Sequence, residues 1–223
     1  VPEGMTAEAW LRLACDELIP RAASEGLCDA VDIYVEDIAF TTSDLERVAT
    51  VAARHGLPLR CHAEQLAWTG AAEMAVALGA RSADHLNHLS PGGAKALGGS
   101  RTCAGLLPTS TLMLGSQPPP TGAMRSAGAA FTLATDLNPG TSPVLSMPEA
   151  IATGCSLYRL TPLEALVAAT VNAAWVLGIH ESHGWLGPGS RADFVILDAP
   201  DFRMVPYRPG HNPVVATFMG GAP

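Results

Sequence analysis

Short apolar runs bounded by turn residues alternate with amphipathic stretches from about residue 5 to about residue 180, and this alternation constrains the fold more than any other property of the chain. Val31–Glu36, Pro58–His62, Ser82–His85, Thr102–Leu107 and Ala130–Thr135 read as strands. Between and around them, Thr6–Ser24, Ser43–His55, Gly70–Leu78, Pro91–Leu97, Thr121–Ser126, Met147–Leu157 and Pro162–Leu177 read as helices. In Ser43–His55 the apolar residues Leu45, Val48, Ala49 and Ala52 recur at helical spacing, and Gly56 closes the segment. Strands that alternate with helices argue for a parallel sheet with right-handed crossovers, because each helix carries the chain back over the sheet face. After Ile179 the pattern changes: Gly184–Asp198 runs from turns into an apolar strand, and Pro213–Met219 supplies another. The expected organisation is an α/β part over residues 1–180 and a small β module over 181–223.

Composition removes several classes of function. The net charge is −8 with only 13 basic residues and no Lys/Arg cluster, which excludes a phosphate-neutralising surface and so a nucleic-acid partner. No apolar run reaches the ~18 residues of a membrane span. Val1-Pro2-Glu3-Gly4 lacks the basic start and apolar core of a signal peptide; a cytoplasmic setting is expected from the cysteines. The absence of an initiator Met there suggests a chain that begins within a longer protein. The five cysteines are scattered and never spaced Cys-x-x-Cys, a pattern of reduced thiols rather than of disulfides or a zinc ribbon.

Three strands end in groups able to carry chemistry. His62 ends one, His85 within Ser82-Ala83-Asp84-His85-Leu86 ends the next, and Asp136 follows the last in Ala134-Thr135-Asp136-Leu137-Asn138-Pro139-Gly140-Thr141. Parallel strands bring their C-terminal tips to one mouth, where a (β/α) barrel places its active site. Two imidazoles and a carboxylate suit zinc or iron, and water on such an ion becomes acidic enough to react near neutral pH. Glu36 and Glu64 stand beside these tips, with Glu36 in a supporting role. His55, His88, His180, His183 and His211 lie at helix ends or in loops and carry less. No Gly-x-Gly-x-x-Gly, phosphate loop or Gly-x-Ser-x-Gly elbow is present.

The residues His62-Ala63-Glu64-Gln65, Ser82-Ala83-Asp84-His85-Leu86, Leu106-Leu107-Pro108-Thr109 and Ala134–Gly140, in that order, resemble imidazolonepropionases, metal-dependent amidohydrolases of histidine breakdown. Gly187–Asp198 and Leu160–Ala174 resemble amidohydrolases in general. The resemblance implies an incomplete TIM-type (β/α)8 barrel, with about five βα units present, followed by C-terminal strands of a small β-sandwich. It implies His62 and Asp136 as ligands of one divalent or trivalent ion, zinc or iron. His85 would polarise the substrate carbonyl, and Asp136 would take the proton of the attacking water. Gln65, His85, Asn138, Gly140 and Thr141 would contact the substrate, although many relatives carry Glu where this chain has Gln65.

The reaction so implied opens the cyclic amide of 4-imidazolone-5-propanoate, a small-molecule substrate, to N-formimidoyl-L-glutamate. A homodimer is compatible with it; a nucleic-acid or membrane partner is not expected. The family's His-x-His metal pair and its propionate-binding arginine are not found, since none of the seven histidines has that spacing. The chain alone is therefore expected to be inactive and, with open sheet edges, poorly soluble. Two other readings stand beside this one: another amidohydrolase such as a heterocycle deaminase, and a non-catalytic truncated scaffold.

Overall fold

The computed structural model describes residues 1–222. Its class is α/β. The strands β1 (Val31–Val35), β2 (Leu59–Ala63), β3 (Ser82–His85), β4 (Cys103–Leu106) and β5 (Phe131–Leu133) form a five-stranded sheet in sequence order. The chain packs as two compact units, Val1–Ala104 with Ala123–Ala129, and Gly105–Gly122 with Ala130–Pro223.

In the first unit β1 pairs with β2 and β2 with β3, both in parallel. Side chains alternate across these strands, as the pleat requires. Ile33, Val35, Leu59, Cys61, Ala63 and Ala83 point to the buried face. The register lays the opposite face out as two transverse rows, Asp32–Arg60–Ser82 and Tyr34–His62–Asp84. The second row places a histidine between a tyrosine and an aspartate.

Helix α3 (Thr42–Arg54) covers the buried face with Leu45, Val48, Ala49 and Ala52, the residues its periodicity singled out. It begins in a reciprocal cap, in which Thr41 accepts from the Asp44 N–H and Asp44 accepts from the Thr41 N–H. Helix α4 (Ala71–Ala77) starts at Gly70 in the left-handed region, and α5 (Pro91–Gly98) is capped by Ser90. Helix α5 lies so close to Ala127 that a Cβ on Gly98 would stand 2.0 Å from the Ala127 carbonyl oxygen.

The N-terminal helix read as continuous is divided into α1 (Ala7–Leu13), a π turn over Ala14–Leu18 and α2 (Ile19–Ser24). Pro20 accounts for the widening. Its ring cannot sit against the carbonyl of residue 16 in a regular turn, and the Ile19 N–H reaches back to Ala14 O instead.

The second unit holds α6 (Pro108–Leu114), α8 (Met147–Leu157), α9 (Pro162–Ala169) and α10 (Val171–Leu177); α7 (Thr121–Ala127) begins in this unit and ends in the first. The single helix expected over Pro162–Leu177 breaks at Thr170, whose ψ is −83° and whose hydroxyl donates to Leu166 O at 2.7 Å. Helix α6 follows the strand read over Thr102–Leu107, in a stretch to which the sequence assigned no element; Pro108 is its first residue, a position where the missing N–H is not needed. Tyr158 is fully buried, donates to Thr111 Oγ1 at 2.6 Å and receives the Thr121 hydroxyl on its carbonyl at 2.7 Å. The tail contains β6 (Phe194–Leu197) and β7 (Val214–Phe218), paired antiparallel with Phe194 stacked on Phe218, and the short α11 (Met204–Tyr207) between them. Among the described residues no helix is long and apolar enough to cross a membrane.

Candidate active site

The residues singled out in the sequence fall into two groups, one in each compact unit. In the first unit His62 projects from β2 with Nδ1 2.8 Å from Asp32 Oδ2, and Asp84 faces it from β3. One ligating atom from each of Asp32, His62 and Asp84 lies within 4.8 Å of the others. Burial, with the charge of Asp32 as a smaller contribution, raises the Asp84 carboxyl to about 6 against the pull of His62. An imidazole nitrogen with carboxylate oxygens at this spacing is a donor set that zinc or iron accepts. Sequence reading missed Asp32 and Asp84. The available signal was a carboxylate at an alternating position inside an otherwise apolar strand.

His85 closes β3 and is buried, its ring centroid 5.2 Å from that of His62. Burial first, and the neighbouring His62 second, push it down to about 3, so the imidazole is neutral across the physiological range. Among the described residues its Nδ1 has no hydrogen-bond partner. Glu64 is fully buried, and burial followed by the charge of Glu73 raises it to about 7.

Gln65 is held from two directions. Tyr34 donates its hydroxyl to Gln65 Oε1 at 3.1 Å. The buried Glu36 carboxylate accepts the backbone N–H of Gln65 and of Leu66 on Oε1, and that of Ala67 on Oε2. The supporting role expected of Glu36 thus takes a definite form: it binds the turn that follows β2.

The second group lies in the second unit. Asp136 follows β5 at φ +53°, and Asn138, Gly140 and Thr141 form the turn after it. Asn138 Oδ1 accepts from the N–H of Gly140 at 2.9 Å and of Thr141 at 2.7 Å. Among the described residues five non-glycine residues have positive φ, and four of them (Glu64, His85, Leu86 and Asp136) stand at or beside these strand tips. Sparsely populated backbone conformations collect at functional sites because the surrounding structure has to enforce them.

Comparison with known proteins gives the class: the chain belongs to the amidohydrolase family, whose model matches residues 33–223. Within that class its sequence is similar to imidazolonepropionases. It is 43% identical over 220 residues to the imidazolonepropionase of Rubrobacter xylanophilus, covering 99% of this chain and 52% of that protein. It is 43% identical over 208 residues to that of Shewanella sp. strain ANA-3, covering 93% of this chain and 51% of that one. The chain spans about half the length of these relatives. Among solved structures, a zinc-bound adenosine deaminase from Xanthomonas campestris superposes with a TM-score of 0.78 at 21% identity, over 97% of this chain and 56% of that one. Escherichia coli guanine deaminase gives 0.71 at 17% identity, over 98% and 60%. These two likenesses establish the fold and leave the substrate open.

Proposed function

We propose that this chain forms part of a metal-dependent hydrolase that opens 4-imidazolone-5-propanoate to N-formimidoyl-L-glutamate, in the cytoplasm, in the breakdown of histidine. The observation that carries the reading is 43% identity to an imidazolonepropionase over nearly the whole chain.

In this reading His62 and Asp136 ligate one zinc or iron ion. When bound, such an ion acidifies a water molecule and polarises the carbonyl it attacks. Asp32, against His62 Nδ1, would orient the imidazole and raise its basicity, the usual task of a carboxylate behind a ligating imidazole. His85, neutral because it is buried, donates a hydrogen bond to the substrate carbonyl oxygen as negative charge develops there. Asp136 takes the proton of the attacking water and passes it to the ring nitrogen that departs. Gln65, steadied by Tyr34 and Glu36, is a neutral group and so acts by hydrogen bonding to the ring, not as a base. Asn138, Gly140 and Thr141 line the place of the ring-opened product. The 223-residue chain by itself is expected to be inactive.

The test is a turnover assay on the zinc- or iron-loaded hydrolase of which this chain is proposed to form part, with 4-imidazolone-5-propanoate and guanine in parallel, beside His62→Asn and Asp136→Asn. Consumption of the imidazolone that both substitutions abolish supports the reading. Ammonia release from guanine with no ring opening would replace it with a deaminase, and turnover that survives both substitutions would remove the ligand assignment.

A further inference from the structure

The backbone of Asp136 is gripped on both sides by side chains. Thr135, the residue before it, offers its carbonyl to two hydroxyls, Thr109 Oγ1 at 2.7 Å and Ser142 Oγ at 2.6 Å. Those hydroxyls lie 3.0 Å from each other, and both residues are fully buried, at 1% and 0% exposure. The carbonyl of Asp136 itself accepts from Asn138 Nδ2 at 2.7 Å. The second hydrogen of that amide goes to Thr141 Oγ1 at 3.0 Å, and Asn138 Oδ1 takes the Gly140 and Thr141 N–H groups. Both donors and the acceptor of the Asn138 side chain are therefore engaged within its own turn.

The two peptide planes that meet at the Asp136 Cα are thus each fixed by a side-chain hydrogen bond. Between them Asp136 sits at φ +53°, where an L residue is disfavoured by roughly 1–2 kcal/mol. A residue there leaves the alternation of the preceding strand and points its side chain in a direction that extended backbone does not allow.

We infer that Thr109, Ser142 and Asn138 are positioning residues that hold Asp136 in the left-handed conformation and thereby set the direction of its carboxylate. The inference rests on Asp136 being a metal ligand only for its functional consequence; the backbone claim stands separately.

The experiment is NMR on the 15N-labelled hydrolase of which this chain is proposed to form part, with Zn2+ titration by calorimetry as a second readout. In the parent chain the amides of residues 135–137 should be as ordered as the strands, with S² of about 0.85. Asn138→Asp keeps an acceptor for the Gly140 and Thr141 N–H groups but removes the donor to Asp136. It should lower the order of Asp136 while residues 140 and 141 stay ordered. Ser142→Ala should loosen residues 135 and 136, and Ser142→Thr should restore them. If the Ser142 variants fail to fold, Asn138→Asp on the surface of the turn decides alone. Zn2+ affinity should fall about 10–100-fold in Asn138→Asp and Ser142→Ala, the loss typical of an outer-shell partner, and return in Ser142→Thr. A merely structural role would lower Tm and leave the affinity unchanged. Unchanged order at Asp136 in both Asn138→Asp and Ser142→Ala overturns the inference. If Asp136→Asn leaves Zn2+ affinity intact, the ligand reading fails, and the NMR arm still decides whether the three residues hold the backbone.

Discussion

Replacing Glu36 with Gln should destabilise the first unit by about 2 kcal/mol, an estimate that rests on an orphaned buried N–H being worth about 1–3 kcal/mol. The carboxylate accepts three backbone N–H groups, two on Oε1 and one on Oε2. Gln has the same shape but only one acceptor oxygen. In its better orientation the amide oxygen keeps the Gln65 and Leu66 N–H groups, and its NH2 is turned against the Ala67 N–H. One donor then loses its partner, and the two that remain lose the extra strength of an ionised acceptor. Leu66 is exposed and Ala67 half-buried, so water relieves part of the loss and holds the figure near the middle of the range. With m of about 2 kcal/mol/M in urea, the midpoint should fall by roughly 1 M. The assay is urea unfolding followed by a probe confined to the first unit, with Glu36→Ala as the more severe variant. A midpoint within about 0.2 M of the parent, which corresponds to under ~0.4 kcal/mol at that slope, would show that Glu36 does not hold the turn carrying Gln65.

Gly98→Ala places a methyl 2.0 Å from the Ala127 carbonyl oxygen; helix α5 has to move, at a cost of about 1–3 kcal/mol, and an unchanged Tm would show that the two helices are not in rigid contact. Tyr158→Phe removes the buried bond to Thr111 and should lower Tm by about 2–4 °C, the equivalent of ~1 kcal/mol in a chain of this size, measured by calorimetry. Asp193 is held below the usual carboxylate range first by the Gly220 N–H and then by Arg191. A depressed carboxyl contributes stability above its unfolded-state value and loses it as pH falls through its folded-state value. Asp193→Asn should therefore lower stability at neutral pH and flatten the acid limb of the stability profile below about pH 4; an acid limb of unchanged slope would refute the assignment.

The α/β pattern was legible because it is written in local periodicity. Leu45, Val48, Ala49 and Ala52 could be assigned to one buried helix face from spacing alone, and they occupy it. Helix α6 escaped because it spans only seven residues directly after a strand, and the first-turn preference of Pro108 is its one local signal. The break at Thr170 depends on one side chain competing for a helix carbonyl, which periodicity does not register. His62, His85 and Asp136 stood out as ionisable groups at strand ends. Asp32 and Asp84 did not, because their nearness to His62 is fixed by the parallel register across β1, β2 and β3. The grip on Asp136 was invisible for a related reason: Thr109 and Thr135 are separated by 26 residues, Thr109 and Ser142 by 33. Hydroxyl-to-carbonyl contacts at that range leave no periodic trace.

The distribution of the cysteines has a practical consequence. All five are free thiols. Cys15, Cys61 and Cys103 lie in the first unit and are buried, and burial raises the pKa of each, that of Cys103 to about 11. Cys155, half-buried, lies in the second unit. Alkylating reagents attack the thiolate of an accessible cysteine, so the deep thiols stay silent until the structure around them opens. The molecule thus carries its own chemical clocks: the labelling rate at Cys61 and Cys103 times the opening of the first unit, and that at Cys155 reports on the second, with no foreign probe introduced.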